Sequence, residues 1–234
     1  MTTRRDEVAH NLETVRTRIA AACSDVGRDP SEVTLTVVTK FFPASDVRLL
    51  ADLGVRDVGE NRHQEAVQKA AETADLGLTW HFIGGLQSNK AAAVASYADV
   101  VESVDRAKLL RGLGHGAHER GAVLDCLVQV RLDPPGAGVG RAGALPEQVV
   151  DLAARLRQTE GLRLRGVMGV APLGEDPAPA FARLREVADQ VQALDPGATW
   201  LSAGMSADLE EAVRAGATHV RVGSGVLGRR PTIK

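Results

Sequence analysis

The stretch VTLTVVTK, Val33–Lys40, sets the frame for the whole chain. Alternation along it puts Val33, Leu35 and Val37 on one face and Thr34, Thr36, Val38 and Lys40 on the other, the period of two of a β-strand. Directly after it, Ser45–Leu53 repeats its apolar residues at three- and four-residue steps, as on one side of a helix. The same switch recurs along the sequence. Apolar runs at Val55–Gly59, Leu78–Ile83, Val100–Val104, Leu124–Leu132, Leu162–Val170, Thr199–Ala203 and Thr218–Gly223 follow the first run, Val33–Thr39. Patterned segments such as Gln87–Ala95, Gln148–Leu156, Ala180–Leu194 and Ala207–Ala215 lie between them. Strands alternating with helices imply βαβ units and a parallel sheet. Eight such units predict the α/β class and a single (β/α)8 TIM-type barrel. An open doubly wound sheet is the competing topology, but no GxGxxG follows the first strand.

Outward from this core, Asp6–Ala22 carries Val8, Leu12, Val15 and Ile19 at helical spacing, so an N-terminal helix over about 6–26 precedes the barrel. Gly27 and Asp29-Pro30 read as its stop and the following turn. Residues 1–234 thus read as one barrel domain. Asp133–Pro146, DPPGAGVGRAGALP, is too long for an ordinary connection and reads as a functional lid or a disordered loop. The alternation continues on both sides of it, so it is no domain linker.

Composition narrows the function. Of 234 residues 44% are hydrophobic, enough for a sizeable core. Lys and Arg number 28 against 30 Asp and Glu, a balance that argues against general nucleic-acid binding. Aromatic residues make up only 3%, which disfavours base-stacking platforms. No apolar run reaches membrane-spanning length, and the N-terminus lacks a secretory h-region. Two widely separated cysteines, Cys23 and Cys126, form neither a disulfide framework nor a CxxC site. The expectation is a cytoplasmic protein with no nucleic-acid or membrane partner. No His, Cys or carboxylate spacing suits a metal.

Chemistry in a parallel barrel sits at the C-terminal ends of the strands. Lys40 ends the first strand on the face turned toward the barrel mouth. A desolvated amine there attacks a carbonyl to form a Schiff base; a solvated lysine leaving a strand is the ordinary alternative. After the seventh strand, in LSAGMSADLEEAVRAGA, Ser206 reads as a helix N-cap with Gly216 as the stop. After the eighth, Gly223-Ser224-Gly225 forms a turn. Loops in these two units are where barrels hold phosphate, although each taken alone is also ordinary capping and turning. On the eighth strand Arg221 shares a face with His219 and Gly223, points inward and needs an acceptor, an acidic group such as Glu60 or a ligand. His81 in WHFIGG is a ligand contact or a satisfied core histidine. Asn61, beside Glu60, is part of a site pair or of a turn. Met168 reads as core or as a site wall. Ser202 and Ser206 lack the setting of a nucleophile elbow.

The ordered segments VVTKFFPASDV, VGENRHQE, WHFIGGLQSNK, LRGVMGV, LSAGMSADLEEAV and VRVGSGVLGRR resemble the YggS/PROSC family of pyridoxal 5′-phosphate (PLP) homeostasis proteins, from about Val33 to Arg230. The resemblance implies a barrel similar to the N-terminal domain of alanine racemase, the fold-type III arrangement of PLP proteins. It makes Lys40 the Schiff-base lysine and places Ser206, Gly223 and Ser224 at the cofactor phosphate, with Ser202 nearby. It sets Arg221 against the pyridine nitrogen and puts Asn61, His81 and Met168 in motifs lining the site. Thr39 stands where many members have serine, and Leu227 where an aromatic usually precedes the glycine. An arginine at the pyridine nitrogen makes the ring a poor electron sink. That favours intracellular storage, protection and delivery of PLP, with apo forms of PLP-dependent enzymes as partners, over catalytic turnover.

Two other functions compete with this one. A PLP-dependent amino-acid racemase needs an acid/base on each face of the cofactor. In alanine racemase the second is a tyrosine from a separate C-terminal domain, and the single tyrosine here, Tyr97, lies before the fourth strand. The third reading is a barrel enzyme using Lys40 on a small phosphorylated aldehyde or ketone without PLP.

Overall fold

A computed structural model describes residues 3–133 and 142–229. The chain opens with α1 (Arg4–Asp25) and then alternates: β1 (Thr34–Val38), α2 (Ala44–Asp52), β2 (Asp57–Glu60), α3 (His63–Glu72), β3 (Thr79–Phe82), α4 (Ala91–Ala95), β4 (Val100–Val104), α5 (Leu110–Arg120), β5 (Leu124–Val130), α6 (Pro146–Gln158), β6 (Leu162–Gly169), α7 (Ala178–Leu194), β7 (Trp200–Ser202), α8 (Leu209–Arg214), β8 (His219–Val222) and α9 (Ser224–Leu227). The strands pair in sequence order, all parallel, and β8 closes on β1 with Thr36 opposite Arg221. The eight-stranded barrel expected from the sequence is therefore the fold. The loop 133–146, read as a functional lid or a disordered segment, falls mostly outside the described residues. Among the described residues no helix is long and apolar enough to cross a membrane.

Alternation along the strands sorts the side chains as expected. Val37, Val58, Val101, Val128, Val167, Leu201 and Val220 face outward and are buried beneath the helices. The helices answer with stripes such as Val8, Leu12, Val15 and Ile19 of α1 and Phe181, Leu184, Val187 and Val191 of α7. Each such side chain contributes roughly 1.5–3 kcal/mol by leaving water. Inside the barrel, Val100, Leu127 and Met168 form a small apolar plug. Many other inward positions are polar but buried, among them Thr36, His81, Glu102, Ser202, His219 and Arg221.

Two predicted helices differ from expectation. The segment 87–95 splits into a 3-10 turn, Ser88–Lys90, and the short α4. The helix expected over Ala207–Ala215, capped by Ser206, begins at Leu209, because Met205–Asp208 folds first into a turn in which the Asp208 carboxylate accepts the Met205 N–H at 2.6 Å. Ser206 is thus not an N-cap. Helix α5 carries three glycines that obscure its period. At Gly116 a Cβ would lie 2.3 Å from the Ala92 carbonyl oxygen, so the glycine lets α4 and α5 approach closely.

Candidate functional site

Lys40 lies two residues beyond β1, at a backbone elbow held by α3. Phe41 adopts φ 72°, a left-handed conformation. Its N–H donates to Glu65 Oε2 at 3.0 Å, and the Arg62 guanidinium sits 4.6 Å from the centre of its ring. On the other side of Lys40, Lys69 Nζ donates to the Thr39 carbonyl at 2.9 Å and to Glu60 Oε1 at 2.5 Å, and the Thr39 hydroxyl donates to the same carboxylate oxygen. Burial pushes the Glu60 carboxyl upward in pKa, with Lys69 and Thr39 pulling against it. The peptide units flanking Lys40 are therefore tied to one helix by a buried ion pair and a carboxylate.

Beside this elbow, since β8 pairs with β1, the ends of β7 and β8 are locked together. Gly225 N–H donates to Ser206 Oγ at 3.3 Å. A Cβ at Gly225 would lie 2.8 Å from Val222 Cγ1 and 3.3 Å from that hydroxyl, so only glycine fits the approach. Gly223-Ser224 opens the one-turn helix α9 rather than forming a free turn. Behind both loops stands α1. Arg18 pairs with Glu210 through two bonds of 2.6 and 2.8 Å and donates to the Ser206 carbonyl at 3.0 Å. Asn11 and Arg4 donate to the carbonyls of Val226 and Leu227.

Between the two sides lies a cavity of about 280 Å³, whose wall includes Lys40, Ser206, Arg221, Gly223 and Ser224 together with Val38, Phe42, Ile83 and Met205. Arg221 points inward from β8, as the alternation requires. Its charge partner is Glu102 of β4, with Nη1 3.7 Å from Oε2, and not the expected Glu60. Glu60 is on the outward face of its strand, bound to Lys69. Arg221 Nη1 donates to Ser202 Oγ at 2.5 Å and Nη2 to the Gly169 carbonyl at 2.8 Å, while Ser202 donates to Glu102 Oε2 at 2.6 Å. The other Glu102 oxygen meets His81 Nδ1 at 2.8 Å, and His81 Nε2 meets Asp57 at 3.0 Å. Burial alone would deprotonate His81, but its two carboxylate partners outweigh that and raise its pKa to about 9. Burial likewise opposes the Glu102 charge, and His81, Arg221 and Ser202 overcome it, holding the carboxyl at about 2.

Comparison with known proteins fits this arrangement. Residues 4–231 match the family described as alanine racemase, N-terminal domain. A pyridoxal phosphate homeostasis protein of Mycobacterium tuberculosis is 43% identical, over 97% of this chain and 94% of the relative. PipY of Synechococcus elongatus, solved with PLP bound, is 36% identical and superposes with a TM-score of 0.82 over 94% of this chain and all of PipY. The chain belongs to the pyridoxal phosphate homeostasis protein family. Alanine racemase from Corynebacterium glutamicum, 12% identical with a TM-score of 0.70, shares the fold, and the chain covers 63% of it.

The remaining residues singled out from the sequence, Ser202, His81, Met168 and Asn61, are not on the wall of this cavity. Ser202 lies directly behind Arg221. His81 is buried with both ring nitrogens engaged. Met168 belongs to the apolar plug. Asn61 packs its backbone against Gly84, and its buried amide oxygen has no hydrogen-bond partner among the described residues. Sequence reading missed Glu102, Asp57, Glu65, Lys69 and Arg18. For Glu102 a signal existed: VVESV is an apolar run with one carboxylate at an inward position, and a buried carboxylate demands a partner.

Proposed function

We propose that this chain binds pyridoxal 5′-phosphate as a Schiff base with Lys40. On this reading it acts as a single-domain barrel in intracellular PLP homeostasis (storage, protection and delivery), with little or no catalytic turnover. The observation that carries this is the wall of one cavity shared by Lys40 with Ser206, Gly223 and Ser224. An aldehyde and a phosphate on one small molecule call for such a pair of sites. PLP supplies the reactive aldehyde; the protein supplies the amine, and donors from the two glycine- and serine-containing loops for the phosphate. The Gly225–Ser206 approach, which a Cβ would fill, supports this fit. Arg221 serves the pyridine nitrogen, with Ser202 and His81 behind it and Asn61 and Met168 shaping the surroundings.

Arg221 has no proton acceptor to offer a ring nitrogen, so the protein does not stabilise a pyridinium, and carbanion chemistry gains little. The fold it shares with alanine racemase keeps amino-acid racemisation as the second reading. Against it, Lys40 and Arg221 are the only titratable side chains on the described cavity wall, and Tyr97 stacks on His63 instead. Both cysteines are buried and unpaired, which suits the reducing cytoplasm. Apo forms of PLP-dependent enzymes are the proposed recipients.

Purified protein mixed with PLP is expected to gain a visible absorbance band, and borohydride to fix a pyridoxyl group on the peptide containing Lys40. Lys40→Ala should lose the adduct and keep the fold, since this side chain lies at the mouth and not in the core. A chain that takes up no PLP overturns the proposal. Sustained conversion of a single-enantiomer amino acid at ordinary enzyme rates would replace it with the racemase. Transfer to an apo-enzyme, compared with and without a dialysis barrier, tests delivery by contact.

A further inference from the structure

We infer that Glu102, oriented by His81 and Asp57 and acting through Ser202, is the positioning residue that balances the charge of Arg221 and sets its direction at the cavity. This rests on the PLP reading above. The four groups and Arg221 form one line of hydrogen bonds across the barrel interior. It starts at Asp57, a quarter exposed at the beginning of β2, and passes through His81 of β3, Glu102 of β4 and Ser202 of β7 to Arg221 of β8. Every member after Asp57 is almost wholly buried. The charges alternate in sign along the line, so the interior carries no net charge from it.

The geometry at the Arg221 end is specific. Glu102 does not grip the guanidinium directly; at 3.7 Å it neutralises the charge while the Ser202 hydroxyl stands between them. That hydroxyl accepts from Arg221 and donates to Glu102, so its one proton is committed to the carboxylate and one of its lone pairs to the guanidinium. With Nη2 fixed on the Gly169 carbonyl, the guanidinium plane is held from two sides and its remaining N–H groups are left for the cavity. Other charges face the line. His219 of β8 has its ring 6.3 Å from that of His81 and is kept neutral by burial, while Asp208 acts on Arg221 from the turn before α8. A buried ionic line is a poor device for stability, since apolar residues of similar volume commonly serve as well. This one ends on the guanidinium of the cavity wall, which gives it a role in binding.

The test compares wild type, Glu102→Gln and Ser202→Ala as full-length chains with PLP. Three quantities are read: the pH midpoint of the visible band, PLP affinity by equilibrium dialysis, and borohydride trapping on Lys40. Glu102→Gln removes a negative charge near the site and should lower the pH midpoint by about one unit. Ser202→Ala keeps the charge but lets Arg221 fall back onto Glu102. It should leave the midpoint near its wild-type value while weakening affinity about tenfold, the loss of one oriented hydrogen bond. Ser202→Thr should restore affinity. Should Glu102→Gln fail to fold, the Ser202 pair decides alone. Folded variants with wild-type midpoint and affinity would reduce the line to a structural feature while leaving the PLP reading standing. A wild-type chain with no trappable adduct refutes that reading itself, and the positioning role with it.

Discussion

Phe41 is the one non-glycine residue with positive φ among those described, and it directly follows Lys40. A left-handed conformation costs a side-chain-bearing residue on the order of 1–2 kcal/mol. The contacts from α3 offset it: Glu65 takes the Phe41 N–H, Arg62 covers the ring, and Lys69 fixes the preceding carbonyl. Glu65→Ala is therefore expected to lower stability by about 1–2 kcal/mol, the loss of a hydrogen bond to a charged acceptor. It should also slow formation of the trappable adduct, because the elbow that aims Lys40 loosens. A denaturant midpoint and an adduct rate both equal to wild type would refute this. Lys40 itself was legible from alternation along VTLTVVTK and its place at a strand end. The strain beside it was not, because φ at Phe41 is decided by a carboxylate on another element.

Helix α1 shows the same division at the scale of an element. Its buried stripe, Val8 to Ile19, announces the helix in the sequence, and nothing in that stripe announces what the polar face does. That face braces both candidate phosphate loops: Arg18 holds Glu210 and the Ser206 carbonyl, and Asn11 and Arg4 hold the chain after Gly225. The sequence marks Ser206 as a helix N-cap, and the structure gives its hydroxyl a different partner. It bonds across to Gly225 instead of capping α8. Arg18→Ala should cost about 1 kcal/mol, since the pair is only part-buried. It should weaken PLP binding several-fold by releasing the Met205–Asp208 turn. Arg18→Lys is not expected to rescue binding, because a point charge cannot span two carboxylate oxygens and a carbonyl. Thermal melts and dialysis on both variants check this; rescue by lysine would show that charge alone is needed.

At the scale of the whole molecule, the barrel interior holds two histidines shifted in opposite directions. The barrel itself was legible because parallel strands repeat one pattern eight times. The pairing of inward residues was not, since Asp57, His81 and Glu102 meet only once the sheet closes. His81 is raised to about 9 by Asp57 and Glu102, and His219 is lowered to about 4 by burial. Between pH 6.5 and 9 the folded chain keeps a proton on His81 that the unfolded chain has lost. The stability tied to that proton is complete below 6.5 and falls as pH rises. Between pH 4 and 6.5 the unfolded chain binds a proton that folded His219 refuses, so its contribution falls as pH drops; His63, lowered by burial, acts in the same sense. Stability measured by urea unfolding should therefore lose ground on the alkaline side of pH 6.5, by at most about 3 kcal/mol through His81. His81→Gln should flatten that alkaline limb. An unchanged alkaline slope in a folded His81→Gln protein would mean that His81 is neutral in the native barrel, and that Glu102 is held by Arg221 and Ser202 without it.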